Sequence, residues 1–240
     1  MYSCINVVIE NAAKLAEEDK VGFALARRLG FGASDSATLL GLSKWSKLSD
    51  LIATKNSDEI TEDEIAVGNK PQVRMGADLE PLILEKFCKQ YNVKVIKPDA
   101  QYRLADFPML TINYDGLLGD GTPVEIKTVS VFADKYWDWD KAITHLDEPA
   151  ILYATQQDAT NSVIKHRADQ LGIPEYYYTQ VQQQLIGTPK CEAYLVAMRM
   201  KDWNLYVFKI GQDEATQQRI IEAATEAAGE CPKIIKLVEE

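Results

Sequence analysis

Apolar residues recur at helical spacing over residues 5–18 (Ile5, Val8, Ile9, Ala12, Leu15, Ala16), which predicts an amphipathic opening helix. Gly30 and Gly32 interrupt the next apolar stretch. Ser34 or Asp35 then caps a short helix through Leu40, which Gly41 stops. A helix is expected over Trp45 to Thr54, followed by a polar, acidic loop from Asn56 to Asn69. Pro71 to Tyr91 reads as a longer helix with Leu79, Leu82, Ile83, Phe87 and Cys88 on its core face, its regular part starting at Pro81. The pattern then turns to strands at Val93–Ile96, Gln101–Leu104, Leu110–Ile112, Gly116–Leu118 and Val124–Thr128, expected to share one mixed sheet of four or five strands. The last two are joined at Gly119-Asp120-Gly121, a hairpin signal because Asp-Gly supplies the positive φ that tight turns need. Val131 to Ile143 fits either a helix or an irregular lid. Asn161 to Leu171 is helical, and Pro174 opens another helix that Gly187 ends. Glu192–Met198 and Trp203–Lys209 alternate as paired strands, and a terminal helix from Glu214 to Glu239 is broken near Gly229 and Pro232.

This order of elements indicates an α/β or α+β fold, a central mixed sheet flanked by helices. At 240 residues the expectation is one domain over 1–240, with an insertion around 130–172 and a C-terminal helix at 213–239. No apolar run approaches the ~20 residues of a membrane span. The first residues show no charged and then apolar signal pattern, so a cytoplasmic protein is expected. Four scattered cysteines without a C-x-x-C pair support neither zinc nor an iron–sulfur cluster. The net charge of -10 argues against a broad basic surface for nucleic acid, though not against positive charge confined to one groove.

The candidate chemistry centres on residues 114–128. Asp115 stands at the start of the first hairpin strand. Glu125 and Lys127 lie two apart on the second, so both face one way and Ile126 the other. Two carboxylates, a backbone carbonyl and water suit a hard cation such as Mg²⁺, and a lysine alongside can orient a water. Taken alone, the same pattern also fits a surface hairpin with a solvated Glu/Lys pair. Arg27 and Arg28 beside the capped start at Ser34 or Asp35 form a candidate anion site. Gln180 and Gln184, four apart, share a helix face with Tyr177 and could look into a site or out to water.

Taken in order, these stretches resemble the YqaJ-like viral recombinase family, the phage lambda exonuclease group of the PD-(D/E)XK nuclease superfamily. Five motifs over roughly residues 25 to 210 carry the resemblance: R-L-G-F-G-A-S-D, M-G-A-D-L-E-P-L-I, N-Y-D-G-L-L, V-E-I-K and Y-Y-T-Q-V-Q-Q-Q-L. It implies a restriction-endonuclease-like core and maps the DNA 5′-phosphate contacts onto Arg28 and Ser34. It maps the acidic and lysine positions onto Glu80, Asp115, Glu125 and Lys127, with Gln180 and Gln182 near the site. Two departures stand out: Tyr114 precedes the aspartate where the family has proline, and the stretch from Lys127 to Gln180 is long.

The resemblance implies a Mg²⁺-dependent deoxyribonuclease, with Mn²⁺ an alternative ion, digesting duplex ends 5′ to 3′. Asp115, Glu125 and the Ile126 carbonyl would hold the metal, Glu80 a second metal or its waters, and Lys127 the attacking water. Gln180 would serve the catalytic centre, with Gln182, Gln184 and Tyr177 adjacent. It further implies DNA as substrate, a single-strand annealing recombinase as partner and a homo-oligomeric ring, a trimer. The rival readings are an endonuclease or single-strand-specific nuclease of the same superfamily, and a non-catalytic scaffold on the same fold.

Overall fold

A computed structural model describes residues 5–10, 12–62, 70–153 and 159–239. Its strands form two sheets. The first has the order β1-β4-β5-β2 and the second β3-β6-β7-β8-β9. The strands are β1 (Ile5–Glu10), β2 (Phe31–Gly32), β3 (Val95–Ile96), β4 (Ala100–Leu104), β5 (Leu110–Ile112), β6 (Gly116–Leu118), β7 (Pro123–Val129), β8 (Glu192–Arg199) and β9 (Asn204–Gly211). The described helices are α1 (Ala12–Glu18), α2 (Lys20–Arg27), α3 (Ser36–Leu39), α4 (Leu48–Asn56), α5 (Pro71–Tyr91), α6 (Asn161–Leu171), α7 (Glu175–Ile186), α8 (Glu214–Ala228) and α9 (Pro232–Glu239). Among the described residues no helix is long and apolar enough to cross a membrane.

The larger sheet separates two hydrophobic clusters, and the period of two along its strands decides which residues enter each. Val124 and Ile126 of β7 join Tyr194, Val196 and Val207 under Ile83 and Phe87 of α5. On the opposite face Val129, Leu195 and Phe208 pack with Val181 and Leu185 of α7 and Ile220 of α8. Glu125 and Lys127 share the parity of Val129, so they emerge on the α7 side. The hairpin of β6 and β7 turns as its residues require: Gly121 has φ +88°, its N–H donates to the Leu118 carbonyl at 2.8 Å, and Asp120 accepts from the Thr122 N–H at 3.0 Å. Gly116 is needed for a different reason. A Cβ there would meet the Val95 side chain at 2.4 Å, where β3 lies against β6.

Three expectations are corrected. Residues 5–10 are a strand antiparallel to β4, and only 12–18 of the expected helix is helical. The β-branched run of Ile5, Val7, Val8 and Ile9 explains the strand, because such side chains fit a pleated sheet better than a helix. The strands from 95 to 129 do not share one sheet: β4 and β5 belong to the first and β3, β6 and β7 to the second. In α5, helix runs from Pro71 through Pro81 without restarting, and Leu82 is exposed while Ile83 and Phe87 are buried. The expected loop Asn56–Asn69 is described only to Glu62; residues 63–69 lie outside the described residues. Residues 130–142 are an irregular strap with two 3-10 turns, at Asp134–Tyr136 and Trp139–Lys141, packed on β9 through Trp137 and Trp139 against Phe208.

Candidate active site

The site forms where the chain crosses from one sheet to the other. β5 ends at Ile112 and β6 begins at Gly116, so Asn113, Tyr114 and Asp115 make the crossing. Helix α7 grips this corner from one side. The Tyr114 hydroxyl donates to the Gln184 carbonyl at 3.2 Å, and the Gln184 amide donates to the Asn113 carbonyl at 3.0 Å. The same amide donates to Glu125 Oε2 at 2.5 Å, while Gln180 donates to Glu125 Oε1 at 2.5 Å. Lys127 Nζ also bonds Glu125 Oε1. Glu125 is only 2% exposed, so these donors replace the water that a buried carboxylate would otherwise require. Tyr177, one turn before Gln180, places its ring 5.2 Å below the Lys127 ammonium.

Asp115 faces Glu125 with fewer partners. Its Oδ2 accepts the Ile126 N–H at 2.8 Å. Burial first, and the Glu125 charge second, push its pKa up to about 7 against the opposing pull of Lys127 and the Ile126 N–H. For Lys127, burial works against the charged ammonium, but the Glu125 and Asp115 carboxylates outweigh it and hold the pKa above the ordinary lysine value. Burial raises the Tyr177 phenol, with Lys127 opposing it.

Two clefts open on this cluster and Asp115 borders both. The larger, about 720 Å³, runs past Glu80, Ile126, Lys127 and Tyr177 to Trp45 and Trp137. The smaller, about 190 Å³, is bordered by Glu125, Gln180, Ser34, Arg27, Gln101 and Asn113. Its turn at Gly32–Ser34 is built by β2 pairing parallel to β5, by Asp35 accepting the Gly32 N–H at 2.9 Å, and by buried Lys55. That lysine donates to the Gly30 carbonyl at 2.6 Å and pairs with Asp35 at 3.0 Å.

Most of the residues singled out from the sequence meet here: Asp115, Glu125, Ile126, Lys127, Gln180, Gln184 and Tyr177 around the carboxylates, and Ser34 on the smaller cleft. Glu80 borders the larger cleft but pairs with Lys97 at 2.5 Å. Two are directed elsewhere. Arg28 is buried and donates to the carbonyls of Ser57 and Glu59 at 2.8 and 2.9 Å, so Arg27 is the arginine on the cleft. Gln182 sits on the opposite side of α7, donating to the Gly211 carbonyl at 2.8 Å and accepting the Asp213 N–H at 2.9 Å. The reason is geometric: a residue two places from Gln180 lies about 200° around the helix.

Sequence reasoning missed Gln101, Asn113, Gln183 and Lys55. Gln183 donates to the carbonyls of Phe31 and Thr111 at 2.9 and 3.0 Å, tying α7 to the β2/β5 pair. Its place in the run Gln182-Gln183-Gln184 was the only available signal.

The donors suit a hard divalent cation in one respect. Asp115 and Glu125 are oxygen ligands in close repulsion, which a cation would relieve. Among the described residues no three carboxylate, His or Cys groups converge as a complete metal set, and one Glu80 oxygen is taken by Lys97.

Known proteins place this architecture. A family model for the YqaJ-like viral recombinase domain matches residues 23–190. The chain belongs to the YqaJ-like viral recombinase domain family. One relative is the Bacillus subtilis (strain 168) protein named Uncharacterized protein YqaJ, 26% identical over 130 residues; the match covers 54% of this chain and 40% of that protein. The chain therefore spans well under half the length of the curated relative it matches. Among solved structures it is similar to an alkaline exonuclease (LHK-Exo) from Laribacter hongkongensis. The TM-score is 0.56 at 17% identity, covering 89% of this chain and 93% of that one. The same protein in complex with dAMP gives a TM-score of 0.56 over 90% and 94% of the two chains, at 17% identity. The fold is thus similar to that of this alkaline exonuclease, and it is the α/β arrangement of mixed sheets flanked by helices that the order of elements indicated.

Proposed function

We propose that this YqaJ-like chain is a Mg²⁺-dependent deoxyribonuclease that digests double-stranded DNA 5′ to 3′ from its ends. The observation that carries it is the Glu125 carboxylate, held by Lys127, Gln180 and Gln184 beside an under-partnered Asp115 at the meeting of two clefts. A solved structure similar to this chain in fold is that of an alkaline exonuclease.

Asp115, Glu125 and the Ile126 carbonyl would hold the metal, with Glu80 contributing to a second ion or its waters. When bound, such an ion supplies charge to the scissile phosphate and lowers the pKa of a water. Lys127 holds that water on the cleft side and neutralises developing charge. Gln180 and Gln184 fix both Glu125 oxygens, leaving the carboxylate little freedom to rotate. Tyr177 fills the far side of the Lys127 ammonium and keeps it over the strand. Ser34 and Arg27 on the smaller cleft would receive the terminal phosphate, which favours attack at an end over attack within a strand. A ring of copies, a trimer in the family pattern, and a single-strand annealing recombinase as partner complete the reading. Mn²⁺ would substitute for Mg²⁺.

The test is digestion of linear duplex DNA with Mg²⁺ by the wild type, Glu125→Ala and Lys127→Ala. Loss in both variants with retained folding is expected, and undiminished cleavage by either overturns the assignment. Comparing linear with closed circular DNA, and 5′-phosphate with 5′-hydroxyl ends, separates exonuclease from endonuclease action.

A further inference from the structure

The larger cleft has a rim that the hydrolytic chemistry leaves unused. Trp45 lines this cleft and is nevertheless 73% exposed. Ser130 and Ala133 of the strap line the same cleft, and between them in the chain Phe132 is 84% exposed and Val131 55%. Singly exposed apolar side chains are ordinary, but several grouped along one cleft mark an interaction site.

The rim is built, not frayed. Trp45 packs edge-on against Tyr176 of α7, with ring centroids 4.7 Å apart at 75°. Tyr136 of the strap lies under two lysines, Lys44 at 4.2 Å and Lys135 at 5.1 Å from its centroid. Lys44 also lies 5.4 Å from the Tyr176 ring and 3.9 Å from Glu175, whose carboxylate offsets part of its charge. Asp134 of the strap is taken up by Arg199 at 2.5 Å.

Exposed aromatic faces with ammonium groups beside them suit one class of ligand, an unpaired nucleic-acid strand. Its bases stack on the rings and its phosphates meet the lysines. A duplex hides its base faces except at its ends, so unpaired nucleotides offer such a surface the most. The overall charge adds a second argument. A chain of net charge -10 gains little from long-range attraction to a polyanion. Stacking does not depend on net charge and supplies affinity where coulombic attraction is weak.

We infer that Trp45 and Phe132 form a base-stacking platform for the unpaired nucleotides of a DNA strand entering the larger cleft, with Lys44 and Lys135 beside its phosphates. The inference rests on the nuclease reading only for the choice of DNA, and it deepens that reading by naming the side chains at the rim that would hold the strand.

The experiment measures binding by fluorescence anisotropy without divalent cations, using a labelled oligothymidylate of about ten nucleotides and an abasic strand of equal length. Wild type, Trp45→Ala, Phe132→Ala and Trp45→Phe are compared. Each alanine variant should weaken oligothymidylate binding about 5- to 100-fold and leave abasic binding unchanged, with Trp45→Phe recovering most of the loss. With linear duplex and Mg²⁺ the alanine variants should raise KM more than they lower kcat. Unchanged oligothymidylate affinity, or an equal loss on the abasic strand, overturns the platform. So does a change in sedimenting mass without a change in DNA affinity, which would assign the face to a second copy of the chain. Absence of cleavage by the wild type would overturn the nuclease reading alone, because the binding comparison does not depend on it.

Discussion

Two buried carboxylates lie against opposite sides of the same helix, and they are satisfied in different ways. Asp213 is fully buried and its oxygens accept from Arg167 at 2.6 and 2.7 Å, from the Tyr178 hydroxyl at 2.6 Å, and from the Thr216 hydroxyl and N–H at 2.5 and 3.1 Å. One acid meets one guanidinium, and the charge balances. Glu125 is almost as buried, but among the described residues its donors are one lysine and two neutral amides, and Asp115 stands beside it with a single backbone N–H. Two acids share one lysine there. The first arrangement closes a core; the second leaves surplus negative charge at the wall of a cleft. Helix α7 serves both, with Tyr178 and Gln182 on one side and Tyr177, Gln180 and Gln184 on the other. Surplus charge next to open space, more than burial itself, is what singles out Glu125 and Asp115 over Asp213 as the proposed reactive pair.

The largest effects should come from exchanging these roles. Glu125→Ala should lower the rate of duplex digestion by about 10² to 10⁴ while the melting temperature moves little, and Lys127→Ala should lower the rate as much but also lower the melting temperature, because it strands two buried acids without their cation. A large fall in melting temperature with a proportionate loss of rate would make Glu125 a second Asp213. Conversely, Arg167→Ala strands a buried carboxylate and should cost about 3–5 kcal/mol in denaturant unfolding, with the rate per folded molecule within a few-fold of wild type.

The titration of the surplus charge gives an intermediate effect. Folded Asp115 has its pKa pushed up to about 7 from the ordinary 3.8, so the folded protein holds that proton more tightly than the unfolded chain. Raising the pH through this window without divalent cations therefore removes stability, the reverse of what a salt-bridged aspartate does. Asp115→Asn should flatten that slope and melt above the wild type at pH 8 without metal. A variant melting below the wild type there would show that the carboxylate is not under repulsion.

The smallest effects separate neighbouring glutamines. Gln180→Ala should lower the rate about 10- to 100-fold and scarcely change stability. Gln182→Ala should cost about 1–3 kcal/mol by leaving buried backbone groups near Asp213 unpaired, with the rate kept. Equal effects of the two on rate would dissolve the division of α7 into two working sides.

The hairpin was legible because its signals are local. Asp-Gly sets the turn, and the period of two puts Glu125 and Lys127 on one face. The outer ends of α5 and the whole of α6 were legible for the same reason, since proline, glycine and helical spacing act within a few residues. Residues 5–10 were misread because a short β-branched run fits a helical template as well as a strand, and its partner β4 lies about ninety residues away. Arg28 and Arg27 are adjacent in the chain. Which one reaches the cleft depends on the carbonyls of Ser57 and Glu59, and nothing local reveals that Arg28 will be spent on them.

The sequence by itself determined the elements, the parity of Glu125 and Lys127, and the company of acids, lysine and glutamines in one order, because each depends on neighbours in the chain. Tertiary structure decided that the strands divide into two sheets at Asp115 and that Gln184 and not Gln182 faces Glu125. It also decided that Glu80 rests on Lys97 and that two clefts meet at one carboxylate. These are outcomes of pairing between distant segments. The energy of a buried charge depends on every donor within reach, and those donors come from β7, α7 and the crossing at Asn113, brought together only by folding.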